Sequence, residues 1–182
     1  MTQESPYGRE IKQIDNKSNK YFLDSHLMTI EEYKKQYLFF SDITGEAMRV
    51  HSKYHGGLLE SAYEAALTYL LKLKGYEVEK QVFLPIYWDD VELDQHYRMD
   101  LVINHRIIVE LKAISYMGNN ERKQLWNYMN LTHLPYGMLI NFSPNGLYSE
   151  WYHRHDGTIE KIKMSNIKDR EEIKENDLLD LN

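Results

Sequence analysis

The sequence predicts an α/β or α+β domain with a mixed central β-sheet. Three observations point there. Two stretches with helical apolar spacing occupy 42–74, three strand-like runs follow over 78–112, and a further helix then leads into a short apolar strand at 136–142. The expected organisation is an N-terminal arm over 1–41, one domain over 42–163 and a charged tail over 164–182.

Residues 1–25 are polar and weakly patterned, as in a flexible arm with short helical stretches. Residues 29–41 can form a short helix opened by Thr29, with Glu31 and Glu32 in its first turn. In 42–54 the stripe Ile43, Ala47, Val50, Tyr54 recurs at helical spacing, and His55-Gly56-Gly57 breaks it. A second helix is expected over 58–74. Leu59, Tyr63, Ala66, Leu67 and Leu70 form its apolar face, and Gly75 stands where a helix C-terminus wants glycine. A strand follows over 78–87, where Pro85 favours a sheet edge. Strands over 97–103 and 106–112 flank Asn104-His105, a pair suited to a tight hairpin turn. The helix over 119–131 stops before Pro135, and 147–152 with 158–163 can add a last pair of strands.

The chain has 182 residues, 42% hydrophobic and 27% charged, which suits one globular domain. No apolar run reaches the roughly 18 residues of a membrane helix, and the polar start is unlike a secretory signal. With no cysteine, disulfides and zinc–thiolate centres are excluded; a cytoplasmic location is the expectation. The net charge of −6 argues against a general nucleic-acid binder, which is normally basic. It leaves room for a divalent-cation site, because such a site must itself be acidic and the bound ion reverses the local field. The histidines are scattered, without the spacing of a ligating pair on one helix face.

Chemistry concentrates at Glu110-Leu111-Lys112. Alternation along a strand points Glu110 and Lys112 to one side, while Ile107, Val109 and Leu111 form an apolar face on the other. A turn near 104–105 brings Asp100 opposite about residue 109 or 110, so two carboxylates converge at one end of the hairpin. Two carboxylates and the Leu111 carbonyl are oxygen donors suited to a hard cation such as Mg²⁺ or Mn²⁺. The Lys112 ammonium can orient or help deprotonate a water, or neutralise phosphate charge. That set suits metal-assisted phosphodiester hydrolysis. Taken alone, the same spacing usually marks a solvated salt-bridge face. What favours a site is that Glu110 and Lys112 interrupt a strongly apolar strand.

Two helix faces add candidates. Glu60 and Tyr63 share a face early in the second helix, where an acid is also favoured by the helix dipole. Gln124 and Tyr128 share a face of the later helix, which also reads as an ordinary polar rim.

Gly57-x-x-Glu60-x-x-Tyr63 resembles the motif of the GxxExxY family of prokaryotic proteins. The likeness continues in order through residues 57–67, through Arg98-Met99-Asp100-Leu101-Val102 and Val109-Glu110-Leu111-Lys112-Ala113, then Gln124-x-x-x-Tyr128-Met129 and Gly137-x-Leu139-Ile140-Asn141-Phe142, covering roughly 42–163. That family is assigned to the PD-(D/E)XK superfamily of restriction endonucleases and RecB-type nucleases. The resemblance implies a restriction-endonuclease-like core, a central mixed β-sheet flanked by helices. It implies Asp100, Glu110 and Lys112 as catalytic residues with Gln124. Glu60, Asp100, Glu110 and the Leu111 carbonyl would be metal ligands for Mg²⁺ or Mn²⁺, and Tyr63 and Tyr128 supporting residues. The implied substrate is nucleic acid, DNA in preference to RNA, with no membrane partner and with a homodimer expected by analogy. Two departures stand out: His55 replaces the first glycine of the family's Leu-Gly-x-Gly loop, and the first 40 residues have no counterpart. The competing expectation is a non-catalytic nucleic-acid-binding or assembly module on the same fold, suggested by the acidic charge and the lack of a basic stripe.

Overall fold

The computed structural model describes residues 20–23 and 26–162, with side chains from 35 onward; the expected tail over 164–182 lies outside the described residues. β1 (Lys20–Leu23) and β2 (His26–Thr29) form a two-stranded ribbon, where sequence suggested an arm with helical stretches. α1 (Ile30–Tyr54) and α2 (Glu60–Leu73) follow. β3 (Val78–Trp88), β4 (Val91–Ile103) and β5 (Ile107–Lys112) come next, then α3 (Asn119–Thr132), β6 (Tyr136–Ser143), β7 (Gly146–His155) and β8 (Thr158–Lys161). The six strands β3 to β8 form one sheet in sequence order. Every pairing is antiparallel except β5 with β6, which α3 joins as a parallel crossover, so the sheet is mixed as expected.

Two cores explain the layers. Phe40, Ile43, Ala47 and Val50 of α1 and Tyr63, Leu67 and Leu71 of α2 bury against Leu101, Ile103, Ile107, Val109, Leu111, Met138, Ile140 and Phe142. On the opposite face Leu125, Tyr128 and Met129 of α3 cover Val102, Ile108 and Leu139. β5 and β6 lie at the centre with helices on both sides. All eight residues of β6 are buried, as befits a parallel strand covered on both faces.

Three sequence expectations change. The helices expected at 29–41 and 42–54 are one helix, and Phe40, placed by sequence in the arm, is in the core. Nothing between 41 and 42 breaks a helix, so the apparent boundary was only a change in patterning. β4 begins at Val91 rather than 97; its first eight residues are exposed on both faces and so carry no alternation to read. The β4–β5 turn spans three residues, with Ile103 paired to Ile107 and with Asn104 and His105 both left-handed at φ 48° and 52°. Pro85 sits in an edge strand, as expected.

The loop from α1 to α2 is held from both ends. The Tyr63 hydroxyl donates to the His55 carbonyl at 2.5 Å and accepts from the Leu58 amide at 3.1 Å, while its ring stacks on Phe142 at 4.4 Å. A Cβ on Gly56 would lie 2.3 Å from the Pro144 Cα, a clash with backbone that cannot swing away. His55 closes α1 with its amide on the His51 carbonyl in left-handed conformation, φ 56°. That position favours glycine. Accordingly, Gly56→Ala lowers the unfolding free energy by roughly 1–3 kcal/mol, whereas His55→Gly raises it by about 0.5–1 kcal/mol. Urea unfolding of the two variants checks both signs; equal effects in the same direction contradict this account of the loop.

Candidate active site

The site is built where β4 leaves β5. The ladder between them runs from Ile103↔Ile107 to Leu101↔Val109 and ends there. The next opposed residues are Asp100 and Glu110, as the hairpin spacing predicts. Instead of another main-chain bond, the Leu111 amide donates to the Asp100 carboxylate at 2.8 Å. The face alternation of β4 breaks at this point: Met99 packs with the α3-side core and Leu101 with the α1/α2-side core. Across from it on β3, Gln81 adopts φ 50° and is left unpaired between Lys80↔Leu101 and Val82↔Met99, with the same register on both sides. Its amide donates to the other Asp100 oxygen at 3.3 Å and also to Glu64 of α2. The kink thus turns Asp100 into the gap between strands and braces it there.

Glu110 and Lys112 point to one side of β5, as alternation requires. Lys112 Nζ donates to Glu110 Oε1 at 2.5 Å. Glu110 is only 1% exposed, so the charge in the apolar strand is buried rather than surface-facing. Its second oxygen, Oε2, is buried without a hydrogen-bond partner. Glu60, first residue of α2, lies close enough to the Ala113 backbone and to Lys112, Asp100 and Glu64 to feel their charges. From α3, Gln124 donates to the Tyr128 hydroxyl at 2.8 Å, and that hydroxyl donates to the Arg98 carbonyl at 3.4 Å. Tyr128 lies within range of the charges on Glu110, Asp100 and Lys112, so Gln124 joins the cluster through it. Tyr63 does not face the carboxylates; its hydroxyl holds the loop before Glu60.

A family model described as the PD-(D/E)XK nuclease superfamily matches residues 38–154, well over half of the chain. The chain belongs to the PD-(D/E)XK nuclease superfamily. Its mixed six-stranded sheet and three helices agree with the restriction-endonuclease-like fold of that group, whose members are generally hydrolytic nucleases that use divalent metal ions. A solved structure described as "Crystal structure of SSO0001" is similar at 18% identity and a TM-score of 0.42, covering 82% of this chain and 72% of that one. No curated protein matches the sequence.

Among the described residues of this PD-(D/E)XK protein, no group of three or more His, Cys, Asp and Glu is arranged to hold a metal ion. The donor chemistry nevertheless fits a hard cation. The converging groups are all carboxylates, and the unpartnered Glu110 Oε2 is a buried acceptor that no protein group satisfies. Lys112 supplies a counter-charge at the other oxygen, Oε1.

Sequence reasoning missed three residues of the site's frame. Glu64 is one turn beyond Glu60 on the same face of α2, and binds Lys80 at 2.9 Å as well as Gln81. The i, i+4 spacing to Glu60 was the available signal. Gln81 acts through an irregular backbone and left no pattern to find. Asn141, buried in β6, clamps the chain just after Lys112 by accepting from the Ile114 amide at 3.0 Å and donating to its carbonyl at 2.9 Å. A lone polar residue in an apolar strand was its signal.

The electrostatics follow from burial. Desolvation, reinforced by the Asp100 charge and only partly offset by Lys112, pushes Glu110 from its ordinary 4.5 up to about 7. Burial also raises Asp100 and Glu60, against the Leu111 amide on Asp100 and the Lys112 charge on both. For Lys112 burial pulls downward, but the surrounding carboxylates outweigh it and keep the ammonium charged. In the folded protein Glu110 therefore holds its proton more tightly than in the unfolded chain. Its contribution to stability is full below 4.5 and is lost as pH rises through about 7. Denaturant unfolding in chelator loses stability on the order of 1–3 kcal/mol from this group between those limits, and Glu110→Gln flattens the slope. A slope of opposite sign, or one unchanged in the variant, contradicts the assignment.

Proposed function

We propose that the protein is a divalent-metal-dependent nuclease that hydrolyses phosphodiester bonds at the Asp100–Glu110–Lys112 cluster. The observation that carries the proposal is the buried, unpartnered Glu110 Oε2 beside a second carboxylate that the fold turns into the same gap. Asp100 and Glu110 would hold the ion, with Glu60 and the Leu111 carbonyl completing the protein oxygens. A bound Mg²⁺ or Mn²⁺ supplies Lewis acidity at the phosphate and lowers the pKa of a coordinated water.

The chain's own groups do the rest. Lys112 is held charged by its carboxylate neighbours, so it serves to neutralise a phosphate and to orient the attacking water rather than to take its proton. Gln124 keeps the Tyr128 hydroxyl directed at the β4 backbone beside Asp100 and can offer its remaining amide group to a phosphate or water. Tyr128 braces the strand that carries Asp100, and Tyr63 sets the loop that starts α2 at Glu60. The order Gly57, Glu60, Tyr63 supports the finer placement with GxxExxY proteins. DNA is the expected substrate, in the cytoplasm, with a homodimer serving two-strand cleavage.

A second reading, a non-catalytic nucleic-acid-binding or assembly module, draws on the net charge of −6 and on Lys112 already sitting on Glu110. One assay separates the two. Purified protein is incubated with single- and double-stranded DNA and RNA in Mg²⁺ or Mn²⁺. The nuclease reading expects cleavage that falls about a thousandfold or more in Glu110→Gln, Asp100→Asn and Lys112→Ala, and about tenfold in Gln124→Ala. Cleavage that survives the first three substitutions overturns the assignment. Absence of cleavage on every substrate favours the module.

A further inference from the structure

β3 and β4 run on beyond the body of the sheet as a two-stranded arm, and β4 is exposed at every residue from Val91 to Arg98. The two faces of the arm differ. Leu84 and Tyr97 are opposed and turn towards α3, where the Tyr97 ring lies 5.5 Å from Tyr128. Phe83 is opposed to Arg98 and Pro85 to His96, so alternation puts Phe83, His96 and Arg98 on the other face. Asp100 lies two residues beyond Arg98, roughly 7 Å along the strand; the alternation breaks there, and Asp100 is tied to this side through Gln81, which reaches Glu64 of α2.

The chemistry of this face is specific. Phe83 is 52% exposed, although it stands in the middle of a strand. Its ring centroid is 4.7 Å from that of His96, tilted by 36°, which makes a two-ring shelf. Arg98 is exposed and has no ion-pair partner among the described residues. Further out on β4, past the register shift between Pro85 and Tyr87, come Asp94 and Glu92, the latter bonded to Tyr87 at 3.2 Å. Phosphates are repelled there, so the favourable strip is short and ends at His96.

We propose that this face binds an unpaired strand of nucleic acid as it enters the site. Phe83 and His96 stack one or two bases, and Arg98 takes a phosphate next to Asp100. The inference rests on the nuclease reading and names its substrate class. Only an unpaired strand offers free base faces to a flat shelf, since a duplex keeps them covered by their neighbours. Stacking also resolves the mismatch between an acidic chain and a polyanionic substrate, because base–aromatic contact does not depend on neutralising many phosphates. A shallow dependence of binding on salt follows.

The test uses the full chain with Ca²⁺ in place of Mg²⁺, and measures fluorescence anisotropy with a labelled single-stranded oligonucleotide and the duplex of the same sequence. The expected result is single-strand binding at least about tenfold tighter than duplex binding. Phe83→Ala weakens single-strand binding by about tenfold and duplex binding by less than about twofold, and Phe83→Tyr restores it. An unchanged thermal midpoint in Phe83→Ala excludes misfolding, as suits an exposed side chain. Equal binding of the two forms, equal loss for both in Phe83→Ala, or no binding of the single strand overturns the inference, even if Glu110-dependent cleavage of duplex is found. Failure of the nuclease reading has a different signature: Phe83-dependent single-strand binding with no cleavage in Mg²⁺ or Mn²⁺.

Discussion

The hydrogen bond from the Leu111 amide to the Asp100 carboxylate takes over where the main-chain ladder between β4 and β5 ends. A strand that leaves its neighbour in mid-sheet exposes backbone donors that cost free energy unless something satisfies them. Here a side chain does so, and the same bond sets the position of an acid opposite Glu110. The kink in β4, the left-handed Gln81 across from it and the Glu64–Gln81 contact from α2 all serve that one displacement. Without it Asp100 would be another residue in a ladder, and the arm formed by β3 and β4 would have no reason to diverge from the sheet.

Behind this opening the scaffold is rigid. β5 and β6 are covered by α1 and α2 on one side and by α3 on the other, so Glu110 and Lys112 are carried on a strand buried in all but its last residue. Asn141 of β6 ties down the chain as it leaves β5. The consequence is a carboxylate that burial holds partly protonated near neutral pH, with one oxygen bonded to Lys112 and the other without a protein hydrogen-bond partner. Such an arrangement is poor for stability, because an unpaired buried acceptor keeps its desolvation penalty. It is well suited to a cation, which would meet both carboxylates and relieve their mutual repulsion.

Much of this was legible in the residues. The two helices, the 97–112 hairpin and the strand after α3 follow from periodicity and turn chemistry, and the opposition of Asp100 to Glu110 follows from counting across the turn. What the pattern could not show is instructive. Alternation locates Glu110 on a face but not its depth; depth depends on α3, whose contact with β5 is tertiary. The outer half of β4 has no buried face and therefore no alternation, so the strand over 78–87 was legible but its partner with His96 was not. Gln81 works through an unusual backbone angle, which no propensity encodes. Tyr63 was placed by sequence at the site because it shares a helix face with Glu60, but its hydroxyl reaches back to the loop and acts on Glu60 only by setting where α2 begins.

The central claim is that Asp100 and Glu110 form one cation site whose proton is displaced by metal. Calorimetric titration of the full chain with Mn²⁺, just below pH 7 in two buffers of different ionisation heat, measures affinity and proton release together. The account predicts binding in wild type with release of a fraction of a proton from Glu110, and loss of both binding and release in Asp100→Asn and Glu110→Gln. Mn²⁺ binding of equal affinity in wild type and both variants, or no binding by wild type at millimolar Mn²⁺, would contradict it.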